Sequence, residues 1–342
     1  MSSSPAMSNA DGLTAERARA IVPFGLTERQ ARFVVTVMLH SGVFVGRQYA
    51  AFAGITHGQK VHDFVEKLLS RRIATAATFG PTGRARLFHV HHKPLYAGIG
   101  EPDNRNRKPI GLGRAVERLM ILDGVLADPN LVWLGTERDK RRHFIHRLGN
   151  RLESHQYPRI VFGKEPNTTT RFFPDKLPIG IEPTGRRHVF LYLVTSQTPM
   201  DFRQFLLRHA ALLSALGWWT IRVLVPRARA RDTHAFAAAA YEHLGRPLYP
   251  NEADEQRDVF RRRQAVSMAA DPVHQTPTPF PKAFRQPRFV ALYRRWLEAG
   301  DSVLWLARSP VFRDALERRE ALIESVSLSY AYAYLSSLAG SS

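Results

Sequence analysis

Residues 26–96 read LTERQARFVVTVMLHSGVFVGRQYAAFAGITHGQKVHDFVEKLLSRRIATAATFGPTGRARLFHVHHKPLY, and the order of periodicities in this stretch decides the amino-terminal fold. Thr27 can cap a helix while Gln30, three residues on, reaches back to the amide of the cap. Phe33, Val34, Val37 and Met38 then fall on one face. A short second helix carrying Tyr49, Phe52 and Ala53 follows Gly46, and Gly54-Ile55 turns the chain. Thr56 is expected to cap a third helix from His57 to Arg71, whose Val61, Phe64, Val65, Leu68 and Leu69 recur at helical spacing. The opposite face carries His57, Gln59, Lys60, Asp63 and Lys67, side chains able to hydrogen-bond base edges or phosphates from a major groove. Ile73–Phe79 and Arg84–His91 read as strands around Gly80-Pro81-Thr82-Gly83, a polar loop bordered by Arg84 and Arg86. Helices followed by such a hairpin predict a winged helix-turn-helix over residues 26–98.

The same elements could form a dimerisation or protein-docking module, and charge separates the two. Residues 26–100 hold ten Lys/Arg against three Asp/Glu, and phosphate neutralisation supplies most non-specific DNA affinity. The whole chain repeats this bias: 342 residues with 49 Lys/Arg, 30 Asp/Glu and a net charge of +19. No apolar run reaches the roughly 20 residues a spanning helix needs, which leaves nucleic acid as the expected polyanion and excludes a membrane. With 44% hydrophobic residues the chain can bury more than one core, and the lack of cysteine removes disulfides, thiolate zinc sites and cysteine nucleophiles. Met1–Gly12 is rich in Ser, Ala and Asn and lacks the basic start and apolar centre of an export signal. Residues 1–25 are therefore expected to form a disordered tail on a cytoplasmic protein.

Beyond the hairpin, residues 98–109 are rich in Gly, Pro and Asn and carry Arg105, Arg107 and Lys108, which makes them a domain boundary. They are read either as a basic arm on DNA or as a solvated linker. Residues 99–155 should add two helices, one over Gly113–Leu126 and one capped by Thr136. Within the second, His143 and His146 are expected at the surface. Residues 156–250 change character: Arg159–Phe162, Thr168–Phe173, His188–Thr195 and Trp218–Val225 read as strands. Pro199–Leu216, capped by Thr198, reads as an amphipathic helix, so an open α/β sheet is expected. Residues 251–342 are expected to be a proline-rich linker and a helical tail, with Ile323–Leu338 as its last helix. The fold class is α+β and multidomain.

The amino-terminal module, Phe172-Phe173-Pro174-Asp175, the apolar run His188–Val194 and Trp218–Pro226 together resemble the plasmid replication-relaxation family. The resemblance implies a winged helix joined to a restriction-endonuclease-like sheet and a role in replication, transfer or regulation of a mobile genetic element. Hydrolysis by such a core needs one carboxylate plus an acid and a lysine two residues apart on the next strand, converging on Mg²⁺. Pro174-Asp175 offers the first, but Phe190-Leu191-Tyr192-Leu193-Val194 contains neither acid nor base, and Glu182 and Asp201 lie outside that strand. The expectation is a degenerate core with no catalytic residue, no metal and no cofactor, with double-stranded DNA as the partner and self-association or a protein partner through the sheet or tail. The rival reading is a nickase or nuclease using Asp175, or the His89/His91 pair with Tyr330 and Tyr334 at helical spacing. No G-x-x-x-x-G-K-[ST] loop is present, so ATP-driven work is not expected.

Overall fold

The computed structural model describes residues 5–79, 85–163, 166–269 and 285–332, and the chain is a mixed α+β protein. Its first element, α1 (Pro5–Ile21), replaces the disorder expected over residues 1–25. Ala18 and Ile21 are buried, and the Arg17 guanidinium donates two 2.9 Å bonds to Asp139, 122 residues away. That long-range ion pair fixes a segment whose local composition looks unstructured.

Helix α2 (Glu28–His40) opens on the capping box formed by Thr27 and Gln30. Strand β1 (Val43–Phe44), α3 (Gly46–Ala53), α4 (Gln59–Ser70) and the hairpin β2 (Ala74–Phe79)/β3 (Ala85–Val90) follow. The three strands form one sheet in the order β1-β3-β2, with Ala76 opposite Phe88 and Phe44 opposite Phe88 from the other side. Phe33, Phe44, Tyr49 and Phe64 meet at the centre of this module, and the Tyr49 and Phe64 rings stack 3.8 Å apart. The expected cap at Thr56 is corrected: α4 begins at Gln59 after Gly58, and residues 56–58 form an exposed bend.

After α5 (Lys93–Gly98) and a helical turn at Arg105–Arg107 come α6 (Leu112–Leu126), β4 (Val132–Leu134) and α7 (Glu137–Leu148), the last capped by Thr136 as its sequence requires. The hairpin β5 (Arg159–Phe162)/β6 (Thr169–Phe172) stands apart from the main sheet. Strands β7 (Ile179–Ile181) and β8 (Arg187–Leu193), helix α8 (Met200–Ala215), β9 (Trp218–Val225) and α9 (Thr233–Ala240) form its centre. Thr198 does not cap α8; Pro199 occupies that position, and the Thr198 carbonyl accepts from the Ser196 hydroxyl. The chain closes with α10 (Pro250–Ala269), α11 (Pro287–Ala299), α12 (Ser302–Arg308), α13 (Val311–Glu317) and β10 (Ala321–Ser327).

The main sheet runs β10-β9-β8-β7-β4, with β8, β9 and β10 parallel and β7 and β4 antiparallel to their neighbours. Two of its strands thus come from outside the expected 156–250 unit. The carboxy-terminal tail is not purely helical either, because Ala321–Ser327 pairs along β9 from Trp219 to Val225. Helix α6 joins the two sheets: Leu119 and Val125 share one core with Val43, Val45 and Leu87 on one side and Leu191, Leu193 and Leu224 on the other. Gly124 is what permits the approach, since a Cβ there would lie 2.5 Å from Leu224 Cδ1. Among the described residues no helix is long and apolar enough to cross a membrane.

Candidate nucleic-acid interface

Helix α4 presents two faces set by its sequence period. Val61, Phe64, Val65 and Leu68 are buried against α2, α3 and β3, which fixes the helix about its axis. Gln59, Lys60 and Asp63 are exposed on the other side, and His57 is exposed in the bend before the helix. Gln59 Nε2 donates to Asp63 Oδ1 at 2.7 Å, one turn apart, so both side chains are held in place before any ligand arrives. Lys67 is half-buried and donates to Gln30 Oε1 at 3.1 Å, which anchors it toward α2, whereas no hydrogen bond or ion pair engages Lys60 among the described residues.

On β3, Arg86 lies over the Phe88 ring and 3.5 Å from Glu66 of α4. Arg86, Arg47, His57, Gln59 and His62 line a groove of about 500 Å³ between β3 and the amino-terminal ends of α3 and α4. His62 and Arg47 belong to this surface although sequence reading did not select them. His62 lies three residues beyond Gln59, so helical spacing alone could have placed it there. Arg47 could not have been found that way, because the Asp123 carboxylate that holds it through two bonds of 3.0 and 2.8 Å lies on α6.

Of the other predicted contacts, Arg84 and the Gly80–Gly83 loop fall outside the described residues. Arg105, Arg107 and Lys108 are not brought to α4. The Asn106 carbonyl meets His89 Nε2 at 3.0 Å and its amide donates to Met38 O, which seats this turn against α2 and β3. Alternation along β3 puts His89 on the face opposite Arg86. The close fit requires glycine at position 42, where φ is +75° and a Cβ would lie 2.3 Å from the Asn106 carbonyl oxygen. The turn is thus docked against α2 and β3 through Asn106, with Arg105 and Lys108 exposed on it.

The residues of the rival nuclease reading are also placed. Asp175 sits in the turn between β6 and β7, where Arg208 of α8 donates to it at 2.6 Å and His209 Nδ1 stands 4.0 Å away. Lys140 is fully buried beside it and donates to Leu177 O at 2.7 Å; burial pulls its ammonium down to about 8 against the pull of Asp175 in the other direction. The space between Lys140, Asp175 and His209 is about 10 Å³, room for about one water and not for a phosphate with a metal ion. Asp175 is a counterion inside a packed corner.

Tyr330 follows β10 in non-helical chain, and Tyr334, expected at helical spacing from it, lies outside the described residues. Arg47 stacks on the Tyr330 ring at 3.3 Å, while the buried Tyr332 hydroxyl donates to Asp123 at 2.7 Å and accepts from Gln48 at 3.1 Å and from Arg47. His143, expected at the surface, is buried, and its Nε2 meets His188 Nε2 at 2.8 Å. Burial lowers both imidazoles, to about 4 and about 3, so both rings are neutral and one proton lies between the two nitrogens. Among the described residues no group of three or more His, Asp or Glu side chains could hold a metal ion. Compared with known proteins, the chain matches no family model, no curated protein and no solved structure.

Proposed function

We propose that this protein binds double-stranded DNA without cleaving it, through a winged helix formed by residues 26–98. The observation that carries the reading is α4: one face is locked into an aromatic core while Gln59, Lys60 and Asp63 remain exposed on the other, with His57 exposed in the bend before it. The element order α2-β1-α3-α4-β2-β3 and the strand order β1-β3-β2 are those a winged helix requires. In this reading α4 enters the major groove, Gln59 and Asp63 meet base edges, and Lys60 and Arg86 meet phosphates on either side. In this reading such binding would serve replication, transfer or regulation of a mobile element, as the resemblance noted above implies.

A salt-titrated fluorescence-anisotropy assay on duplex DNA tests the reading. Lys60→Ala and Arg86→Ala should each weaken binding on every sequence and reduce the slope of log K against log salt by about 0.9 per lost phosphate contact. Binding that is absent, or independent of salt, refutes it and favours a protein-docking scaffold. The nuclease reading would require plasmid nicking with Mg²⁺ or Mn²⁺ that Asp175→Ala or His91→Ala abolishes.

A further inference from the structure

A second cationic feature lies on the main sheet, at the carboxyl ends of its parallel strands. Here β9 runs out of the sheet at Val225 into Pro226-Arg227-Ala228-Arg229-Ala230-Arg231-Asp232, a short irregular turn before α9. Arg227 and Arg231 are exposed and have no hydrogen-bond or ion-pair partner among the described residues. Only Arg229 faces an acid, Asp232, at 3.5 Å. Elsewhere arginines are widely committed to carboxylates, as in Arg17–Asp139, Arg47–Asp123 and Arg208–Asp175. Two free guanidiniums within five residues, next to Ala228 and Ala230, which are too small to cover them, make a strongly solvated positive knuckle.

Its position follows from the pairing of the strands. Ser327 at the end of β10 lies beside Val225, and Leu328 N donates to Val225 O at 2.9 Å. Two residues later Tyr330 lies under the Arg47 guanidinium at the start of α3. The neighbouring Gly46 is so close to α4 that a Cβ on it would lie 3.2 Å from Val61 Cγ1. The arginine turn thus follows the strand that pairs with β10, and β10 leads through residues 328–332 to Arg47 beside the amino-terminal end of α4. The Asp123–Arg47–Gln48–Tyr332 hydrogen bonds tie the 328–332 segment to α3 and α6, so the chain leaving β10 is held against the amino-terminal module.

Resting on the DNA-binding reading of α4, we infer that Arg227 and Arg231 grip the phosphate backbone of the same duplex, so that the sheet module extends the footprint of the amino-terminal module. The contact carries no base information, and its loss weakens binding to all sequences alike. The test uses the full chain, an Arg227→Ala/Arg231→Ala double variant and a charge-reversed Arg227→Glu/Arg231→Glu variant. Two duplexes serve as probes, one of about one helical turn and one of more than two turns. On the longer duplex the alanine variant should lower the salt slope by about two units, and the glutamate variant should reduce it further. On the short duplex both should bind like the parent, and near-ultraviolet circular dichroism should show all three proteins folded alike. An unchanged slope on the long duplex, with Lys60→Ala still weakening binding, overturns this inference and leaves the α4 reading intact. Equal losses on the two lengths also overturn it, because the arginines would then lie within the α4 footprint. If the parent protein itself shows no salt-dependent binding, the α4 reading fails and this inference with it.

Discussion

The buried His143–His188 pair makes folding stability depend on acid in a way that can be calculated. Both rings are neutral inside the protein, with His143 lowered by burial from 6.5 to about 4, whereas in the unfolded chain each recovers its ordinary proton affinity. Below pH 6.5 the unfolded chain takes up protons that the folded protein refuses. The stability is therefore fully present above the ordinary histidine value and is lost as pH falls from there toward 4. At pH 5 a single such histidine removes about 2 kcal/mol of stability, from about 1.4 kcal/mol for each tenfold difference in proton affinity. His143→Leu should cost about 1–3 kcal/mol near neutrality by leaving His188 Nε2 without its partner. The variant should then lose about 2 kcal/mol less than the parent between pH 7 and pH 5. Urea unfolding followed by tryptophan fluorescence at a series of pH values measures both terms. Parallel pH profiles for parent and variant would refute the reasoning, since His143 would then titrate alike in both states.

Other consequences follow from the packing. Asp175→Ala should destabilise the protein by about 3 kcal/mol because Arg208 and Lys140 lose the carboxylate beside them, and adding Arg208→Met should recover part of that loss; a thermal melt in which Asp175→Ala is neutral would contradict the counterion role. Tyr332→Phe removes a hydroxyl that bonds Asp123, Gln48 and Arg47, and should lower stability by about 1–3 kcal/mol by equilibrium unfolding, with a loss near zero counting against the clamp. Gly124→Ala should cost about 1–3 kcal/mol by forcing Leu224 aside, and an unchanged melting temperature would mean that the α6 seam is loose.

The parts of the fold legible in the chain are those whose partners are close in sequence. The Thr27/Gln30 box, the buried stripe of α4 and the apolar run Trp218–Val225 declare themselves through local hydrogen bonds or a period of 3.6 or 2, and α2, α4 and β9 follow them. Strands β4 and β7, three residues each, carry too few alternations to signal a strand, and they exist because each pairs with a remote neighbour. Ala321–Ser327 is half-exposed along one edge, so its apolar residues read as one stripe of a helix until β9, about 100 residues earlier, supplies the register. The polar face of α4 could be read from spacing alone. Arg47 and the arginine turn could not, since their relation to α4 is set by contacts from α6 and the end of β10.

By itself, then, the sequence determined the strong positive charge, the helical core module with its hairpin and the identity of the exposed face of α4. Periodicity and composition are local properties that a chain carries unfolded. Tertiary structure alone decided that Pro5–Ile21 forms a docked helix, that Asp175 and His143 are packed rather than displayed, and that the carboxy-terminal segment completes the sheet and clamps α3. Each of those outcomes rests on a hydrogen bond, an ion pair or a strand pairing between residues tens to hundreds of positions apart, and such pairings gain meaning only once the chain has folded.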